Sequence, residues 1–381
     1  MRDRIFISSP TMHGEELLYI QEALERNWVA PLGFNCDGFE TEILQYLCRE
    51  KPKSCQALAL SSCTSALHLA VKLAGIQPGD IVLCSDLTFV ASANAISYEG
   101  GIQVFVDAER ETWNMDPRAL ELAFRKYPTA KAVLLTHLYG VPAQMRKIQE
   151  ICKRHGAVLI EDAAEALGAS CQGKSCGTLG DLGAISFNGN KIITTSGGGM
   201  LITHDSEDRE KALYWATQSR EAVRWYQHRE TGYNYRMSNI AAGIGRGQLK
   251  YLNEHCRRKT EIYETYRQGL EDLPVQMNPY LPNSKPNFWL SCLTVNGDCV
   301  VTPERILEKL DDWNIEARPI WKPMHLQPLF ADRDFIRAEA VAVDEDIFRR
   351  GLCLPSDIKM TRREQELVMD VIRSCFEEQY V

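Results

Sequence analysis

The sequence predicts an α/β protein: a large domain on a mainly parallel sheet, followed by a smaller α+β unit. Three observations predict it. From about residue 57 to residue 162, short apolar runs alternate with helical patterns. That alternation buries strands beneath helices on both faces of one sheet. After residue 205 the alternation gives way to long helical stretches, and then to a second region of short strands. A length of 381 residues also suits one large domain with a smaller companion. We assign 1–250, N-terminal segment included, to the large domain and 251–381 to the small one.

Each element has a local reason. "DIVLC" (80–84) is a short apolar strand, and "TFVASANAISYEG" (88–100) is a helix closed by glycine. "IQVFVD" (102–107) is a strand. "DPRALELAFRKY" (116–127) is a helix with Asp116 as N-cap and Pro117 at its first position. "AKAVLLTH" (130–137) is a strand, "AQMRKIQEICKRHG" (143–156) a glycine-terminated helix, and "AVLIED" (157–162) a strand again. "DSEDREKALYWATQ" (205–218) is helical, and 232–273 reads as a turn followed by one long helix. The proline and asparagine content of 275–287 marks a linker, and "NFWLSCLTV" (287–295) opens the second strand region.

The bulk numbers exclude some classes. Against 43 Lys and Arg stand 51 Asp and Glu, a net charge of −8 that argues against a general nucleic-acid binder. The start, "MRDRIFISSPTMHGEE", lacks a signal peptide's apolar core, and no stretch approaches bilayer length. The expected location is cytoplasmic, with no membrane insertion. The 13 cysteines are scattered, many inside apolar runs, and read as reduced core thiols. No C-x-x-C pair occurs, so no metal site is expected.

One motif is refused. "GASCQGKS" (168–175) fits the phosphate-loop pattern G-x-x-x-x-G-K-[ST]. That loop works only when it opens a helix whose free N–H groups hold the phosphates. Here "CGTLGDLGAISF" follows, three glycines and then a strand. The expected structure is a hairpin or loop with Lys174 in solvent; a nucleotide hydrolase remains the alternative class.

Three other features carry chemistry. Asp162 ends a buried strand, where a carboxylate needs a partner. A helix cap or a structural ion pair would satisfy it; so would a protonated ring nitrogen. Lys191 follows the strand "AISF" in "SFNGNKIITTSGGGM", with no acid nearby in sequence. "SSCTSALHLA" (61–70) is a polar turn opening an apolar helix, with Thr64 and Ser65 in its first turn. Its N–H groups and hydroxyls suit a phosphate, as does the hydroxyl of Ser186. A lysine, an aspartate and a phosphate cradle in one α/β chain describe a pyridoxal phosphate site.

"EDAAEALGASCQGKSCGTLGDLGAISFNGNKIITTSGGGMLIT" closely resembles the DegT/DnrJ/EryC1/StrS family of nucleotide-sugar aminotransferases. The blocks "NWVAPLGFNCDGFE", "SCTSALHLAV", "LTFVASANAI", "HLYGVPAQM", "TGYNYRMSNIAAGIGRGQL" and "RPIWKPMHLQP" follow in family order, so the likeness spans nearly the whole chain. The resemblance implies the aspartate-aminotransferase-like fold (fold type I) and a homodimer with shared active sites. It implies pyridoxal 5'-phosphate covalent to Lys191, with pyridoxamine phosphate as the intermediate form. Asp162 would face the ring nitrogen and Phe89 would stack on the ring. Thr64, Ser65 and Ser186 would hold the phosphate, with Asn234 reaching it from the other subunit. Glu165 stands where many relatives have glutamine or histidine beside the cofactor. Some relatives replace the lysine by histidine and act as sugar dehydratases; Lys191 favours amino transfer.

The same blocks most resemble the branch that makes UDP-N-acetylbacillosamine precursors. The implied substrates are L-glutamate and a UDP-2-acetamido-2,6-dideoxy-4-keto-hexose, aminated at C4 for surface polysaccharide or glycoprotein glycan synthesis. The face of proton delivery, which sets gluco or galacto product, is open. The alternative substrate is GDP-4-keto-6-deoxymannose, as for perosamine synthases. Substrate contacts are expected from Asn27 and Trp28 before the "APLG" turn, from Arg229, and from Trp321, Lys322 and His325 in "WKPMH". Arg236 is a further basic candidate, and Tyr139 is expected to shape the wall near the cofactor.

Overall fold

The computed structural model describes residues 3–48 and 55–377. Its central sheet has eight strands in the order Gln56–Leu60, Gly199–Thr203, Leu182–Ser186, Val158–Asp162, Ala132–Thr136, Ile81–Ser85, Ile102–Val106 and Phe335–Ile336. All neighbouring pairs are parallel except those made by Gly199–Thr203, which runs antiparallel to both its partners. The mainly parallel α/β expectation holds, with one reversed strand that the apolar pattern did not announce.

Strand alternation builds the two covering layers. Val82, Phe105, Leu134 and Ile160 point into one apolar cluster, beneath the helices Cys63–Leu73 and Val90–Tyr98. Leu83, Val104, Val133 and Leu159 point into the opposite cluster, against Pro117–Lys126 and Met145–His155. The predicted caps are present. Asp116 accepts the Arg118 N–H at 2.7 Å, and Gly156 closes its helix in the left-handed region at φ 65°.

The same alternation separates two adjacent acids. Glu161 points away from the Ile160 side and accepts the N–H groups of Gly177, Leu179 and Gly180, pinning that loop. Asp162 shares the side of Ile160 and faces the helix that carries Ser92.

The 168–175 stretch is a hairpin. Ser170–Cys171 pairs with Lys174–Ser175 across a turn in which Gln172 and Gly173 take φ 50° and 79°. Lys174 is exposed and no helix follows, so the phosphate-loop geometry is absent.

Two expectations along the chain are corrected. The long helix is two, Asn239–Leu249 and Leu252–Gly269, broken at Lys250 and Tyr251. The 275–287 stretch is not a free linker. Val275–Met277 pairs with Ser291–Val295, and Ser284–Lys285 pairs with Ser170–Cys171. Polar composition marked exposure there, but main-chain pairing is indifferent to it. A second apolar cluster joins Ile262, Tyr266, Leu293, Leu352 and Ile372 around a four-stranded antiparallel sheet. Among the described residues, no helix is long and apolar enough to cross a membrane.

Candidate active site

The carboxyl ends of five strands meet the start of one helix around a cavity of about 310 Å³. That edge is where open α/β sheets bind ligands. Ser61–Thr64 arrive after Gln56–Leu60, Thr88 and Phe89 after Ile81–Ser85, Thr136 at the end of Ala132–Thr136, Asp162 at the end of its strand and Ser186 at the end of Leu182–Ser186. A larger hollow of about 580 Å³ between Pro303–Asp312 and Val343–Arg350 has no lysine on its wall.

Lys191 reaches this cavity from an excursion between two antiparallel strands. Its base is closed by Phe187 N–H to Gly198 O at 2.9 Å and Thr195 N–H to Phe187 O at 2.9 Å. Phe187, Ile192 and Ile193 are buried and anchor the excursion, with Phe187 packed on Phe39. Lys191 is left facing the open volume, together with Asn188 and Asn190. Its Nζ lies 3.3 Å from Glu165 Oε1 and 3.9 Å from the centre of the Trp289 ring. A lysine with no acid nearby in sequence thus acquires both a carboxylate and an aromatic face from distant segments.

Asp162 is held by the Ser92 hydroxyl at 2.6 Å and the Ala164 N–H at 3.0 Å. Ser92 continues to Thr88, and Thr88 to Thr136, in a buried hydroxyl chain. Glu165 also accepts the Tyr139 N–H at 2.6 Å. Burial pushes the Glu165 carboxyl up to about 7, and the Lys191 amine opposes that rise.

The residues at the start of Cys63–Leu73 divide. The cap is Ser62, which accepts the Ser65 N–H at 3.0 Å. The Ser65 hydroxyl is spent on Ser61 and Ser62, whereas Thr64 lines the cavity. Gly199 lets the reversed strand pass beneath this helix end: a Cβ there would lie 2.3 Å from Cys63 N.

Of the sequence candidates, Lys191, Asp162, Thr64, Phe89, Ser186, Glu165 and Trp321 line the one cavity. Trp321 packs on Phe89 with ring centres 5.5 Å apart, and its main-chain N–H donates to the Tyr139 hydroxyl at 3.1 Å. Asn234, Asn27, Trp28, Arg229 and Lys322 are exposed and do not line it. The Trp28 indole N–H is held by Leu32 O at 2.5 Å, and Arg229 lies 3.8 Å from Glu221. His325 is turned to Asp86, with Nδ1 2.6 Å from Oδ2, and Arg236 is buried against Glu40 at 3.3 Å. Their partners are acids that sequence distance had hidden.

Sequence reasoning missed Trp289, Ser92, Thr88 and Thr136. Thr88 and Ser92 do carry a signal, two hydroxyls four residues apart at a helix start. Trp289 carries none, because its neighbours read as an apolar strand.

The residue set fits pyridoxal phosphate by its chemistry. One amine and two carboxylates, Asp162 and Glu165, face the same volume, a helix N-terminus with hydroxyls offers an anion seat, and Phe89 supplies a flat apolar wall. The cavity sits at the scale of a small cofactor.

The sequence profile of the DegT/DnrJ/EryC1/StrS aminotransferase family matches residues 10–373. A Bacillus subtilis protein named as a candidate pyridoxal phosphate-dependent aminotransferase, EpsN, is 45% identical over 99% of this chain and 97% of its own. A GDP-perosamine synthase of Caulobacter vibrioides is 36% identical over 96% of each chain. The crystal structure of an aminotransferase, TlmJ, from Streptoalloteichus hindustanus superposes with a TM-score of 0.89 at 28% identity, over 99% of this chain and 100% of that one.

Proposed function

Because the chain belongs to the DegT/DnrJ/EryC1/StrS aminotransferase family, a pyridoxal phosphate-dependent family of nucleotide-sugar aminotransferases, we propose that it moves an amino group from L-glutamate to C4 of a UDP-2-acetamido-2,6-dideoxy-4-keto-hexose. The observation that carries the reading is the convergence of the Lys191 amine and the Asp162 carboxylate on one cavity, beside the start of Cys63–Leu73.

Lys191 would carry pyridoxal 5'-phosphate covalently, Asp162 would face its ring nitrogen, and Thr64 and Ser186 with the helix N-terminus would take its phosphate. When bound, the cofactor supplies an electron sink for the bond broken at the amino acid's α-carbon. The chain's own residues do the rest. The Ser92 and Ala164 donors fix the Asp162 carboxylate in one orientation, so its charge needs no reorganisation during reaction. Once the L-glutamate amine has taken its place, Lys191 Nζ would take the α-proton and, in the second half, deliver a proton to the sugar carbon that gains the amine. Glu165 Oε1 and the Trp289 ring hold that amine at the cavity wall. Phe89 and Trp321 present an apolar face that sheds water from the reacting atoms.

The exposed Asn234 is proposed to serve the partner's site in a homodimer, where Asn27, Trp28, Arg229 and Lys322 are also available to substrate. GDP-4-keto-6-deoxymannose is the second reading, favoured by the likeness to a GDP-perosamine synthase.

The test is a panel of UDP- and GDP-linked keto-sugars incubated with the cofactor-loaded protein and L-glutamate, the products identified by NMR. Amination of the UDP-linked 2-acetamido sugar at C4 is expected. Turnover of the GDP-linked sugar alone would replace this reading with the second, and ATP hydrolysis without amination would defeat both.

A further inference from the structure

Outside the cavity, the most highly charged buried cluster joins the sheet to the segment that carries Trp321. Asp86 follows Ile81–Ser85, Asp107 follows Ile102–Val106, and Asp344 lies in the first turn of Val343–Arg350. All three are buried. Asp107 caps that helix, accepting the N–H groups of Val343 and Asp344 at 3.1 Å, and also the Ala108 N–H at 2.8 Å. Asp86 accepts the His325 N–H at 2.8 Å and faces His325 Nδ1 at 2.6 Å. Asp344 Oδ1 accepts the Glu345 N–H at 2.6 Å, but its Oδ2 is buried with no donor. Atoms of Asp86, Asp344 and His325 lie within 4.8 Å of one another.

The charge does not balance without help. His325 is the one basic side chain among these groups, and Glu345 shares it at 3.3 Å. The nearby arginines Arg110, Arg349 and Arg350 are all committed to Asp346. Three buried carboxylates beside one imidazole must take up either a proton or a cation. A metal ion would have to strip donors already seated on Asp86. A proton needs only the oxygen of Asp344 that has none.

We infer that Asp344 is a neutral acid that donates to Asp86, and that Asp344, Asp86 and His325 are positioning residues that hold Trp321 and Phe89 as the aromatic wall of the cavity. Asp86 is tied to both sides of that wall. Its main-chain oxygen accepts the Met324 N–H at 3.0 Å, its carboxylate holds His325, and Phe89 follows three residues later. Burial pushes Asp344 up to about 9, and Asp86 and Asp107 up to about 7. For acids raised in the folded state, the contribution to stability is complete below the ordinary carboxylate range and is lost as pH rises through these values.

The test uses the holoenzyme. Its infrared difference spectrum against Asp344→Asn at pH 8 is expected to show the C=O stretch of a neutral carboxylic acid, and that band is expected to fade in the wild type from pH 8 to pH 10. The kinetic arm rests on the reading of the cavity as the active site. With L-glutamate as probe, kcat/KM is expected to fall about tenfold from pH 8 to pH 10 in the wild type, as for loss of one proton near pH 9. In Asp344→Asn, whose amide donates at any pH, that fall disappears. Absence of the neutral-acid band overturns the inference, as does an identical pH profile in both proteins. So does a rise in wild-type melting temperature on adding Zn²⁺ or Mn²⁺ that Asp344→Asn lacks, because a cation then stands where the proton should. A protein inert to L-glutamate would count against the proposed function, while the infrared band still decides this inference.

Discussion

Lys191 and Lys259 are both shielded lysines and both touch Trp289, yet their surroundings differ. Lys191 Nζ lies over the indole ring, 3.3 Å from Glu165, and opens onto the cavity. Lys259 Nζ donates to the Trp289 carbonyl at 2.8 Å and to the Ser8 hydroxyl at 3.2 Å, and lies off the larger cavity, on a void of about 10 Å³ that Lys191 also borders. Burial pushes the Lys259 amine down to about 7, against the pull of Asp357. A buried amine is therefore not by itself a reactive one. What separates the two is room for a ligand, and an acid placed across that room. Lys259 joins the N-terminal segment to the loop that carries Trp289; Lys191 is left facing space.

The largest test of that contrast exchanges function between the two. Lys191→Ala is expected to lose the cofactor's visible band and to slow amino transfer by at least ~10²–10⁴-fold. Lys259→Met should keep the band. If both variants lost colour alike, the contrast would fail. Asp162→Asn comes next: it keeps the Ser92 and Ala164 contacts in outline but removes the charge across the cavity. Conversion of the bound cofactor by L-glutamate, followed by absorbance, is expected to slow roughly 10²–10³-fold.

Lys259→Met itself should act on stability. It strands the Trp289 carbonyl, at a cost of about 1–3 kcal/mol in the denaturation free energy. A smaller effect is expected from Glu165→Gln. The Glu165 carboxyl is raised to about 7 in the folded protein, so its contribution is full below pH 4.5 and lost as pH rises through about 7. The wild type should therefore lose melting temperature between pH 5 and pH 8 relative to the variant; parallel profiles would remove Glu165 from the account. Smallest of all, Lys174→Ala on the exposed hairpin should stay within about 0.5 kcal/mol of wild type and change no activity.

Legibility differed by kind of residue. Strands that read as short apolar runs and are buried on both faces, the Asp116 and Gly156 helix ends, and the Asp162 and Lys191 positions could be read, because each rests on spacing or on a run of neighbours. The break at Lys250 and Tyr251 could not, since 232–273 has no proline there and its polar pattern continues. In the sequence His325 and Arg236 read as candidate ligand contacts, because their acids, Asp86 and Glu40, lie far off along the chain.

By itself the sequence determined the alternating architecture, the failure of the hairpin as a phosphate loop, and the chemical types at the site. Those follow from local propensity, strand alternation and main-chain geometry, which act over a few residues. The tertiary structure alone decided which polar groups meet: Lys191 with Glu165 and Trp289, Asp162 with Ser92, Asp86 with His325. Such pairings depend on how strands and helices from distant parts of the chain are brought side by side, and no short-range rule encodes that.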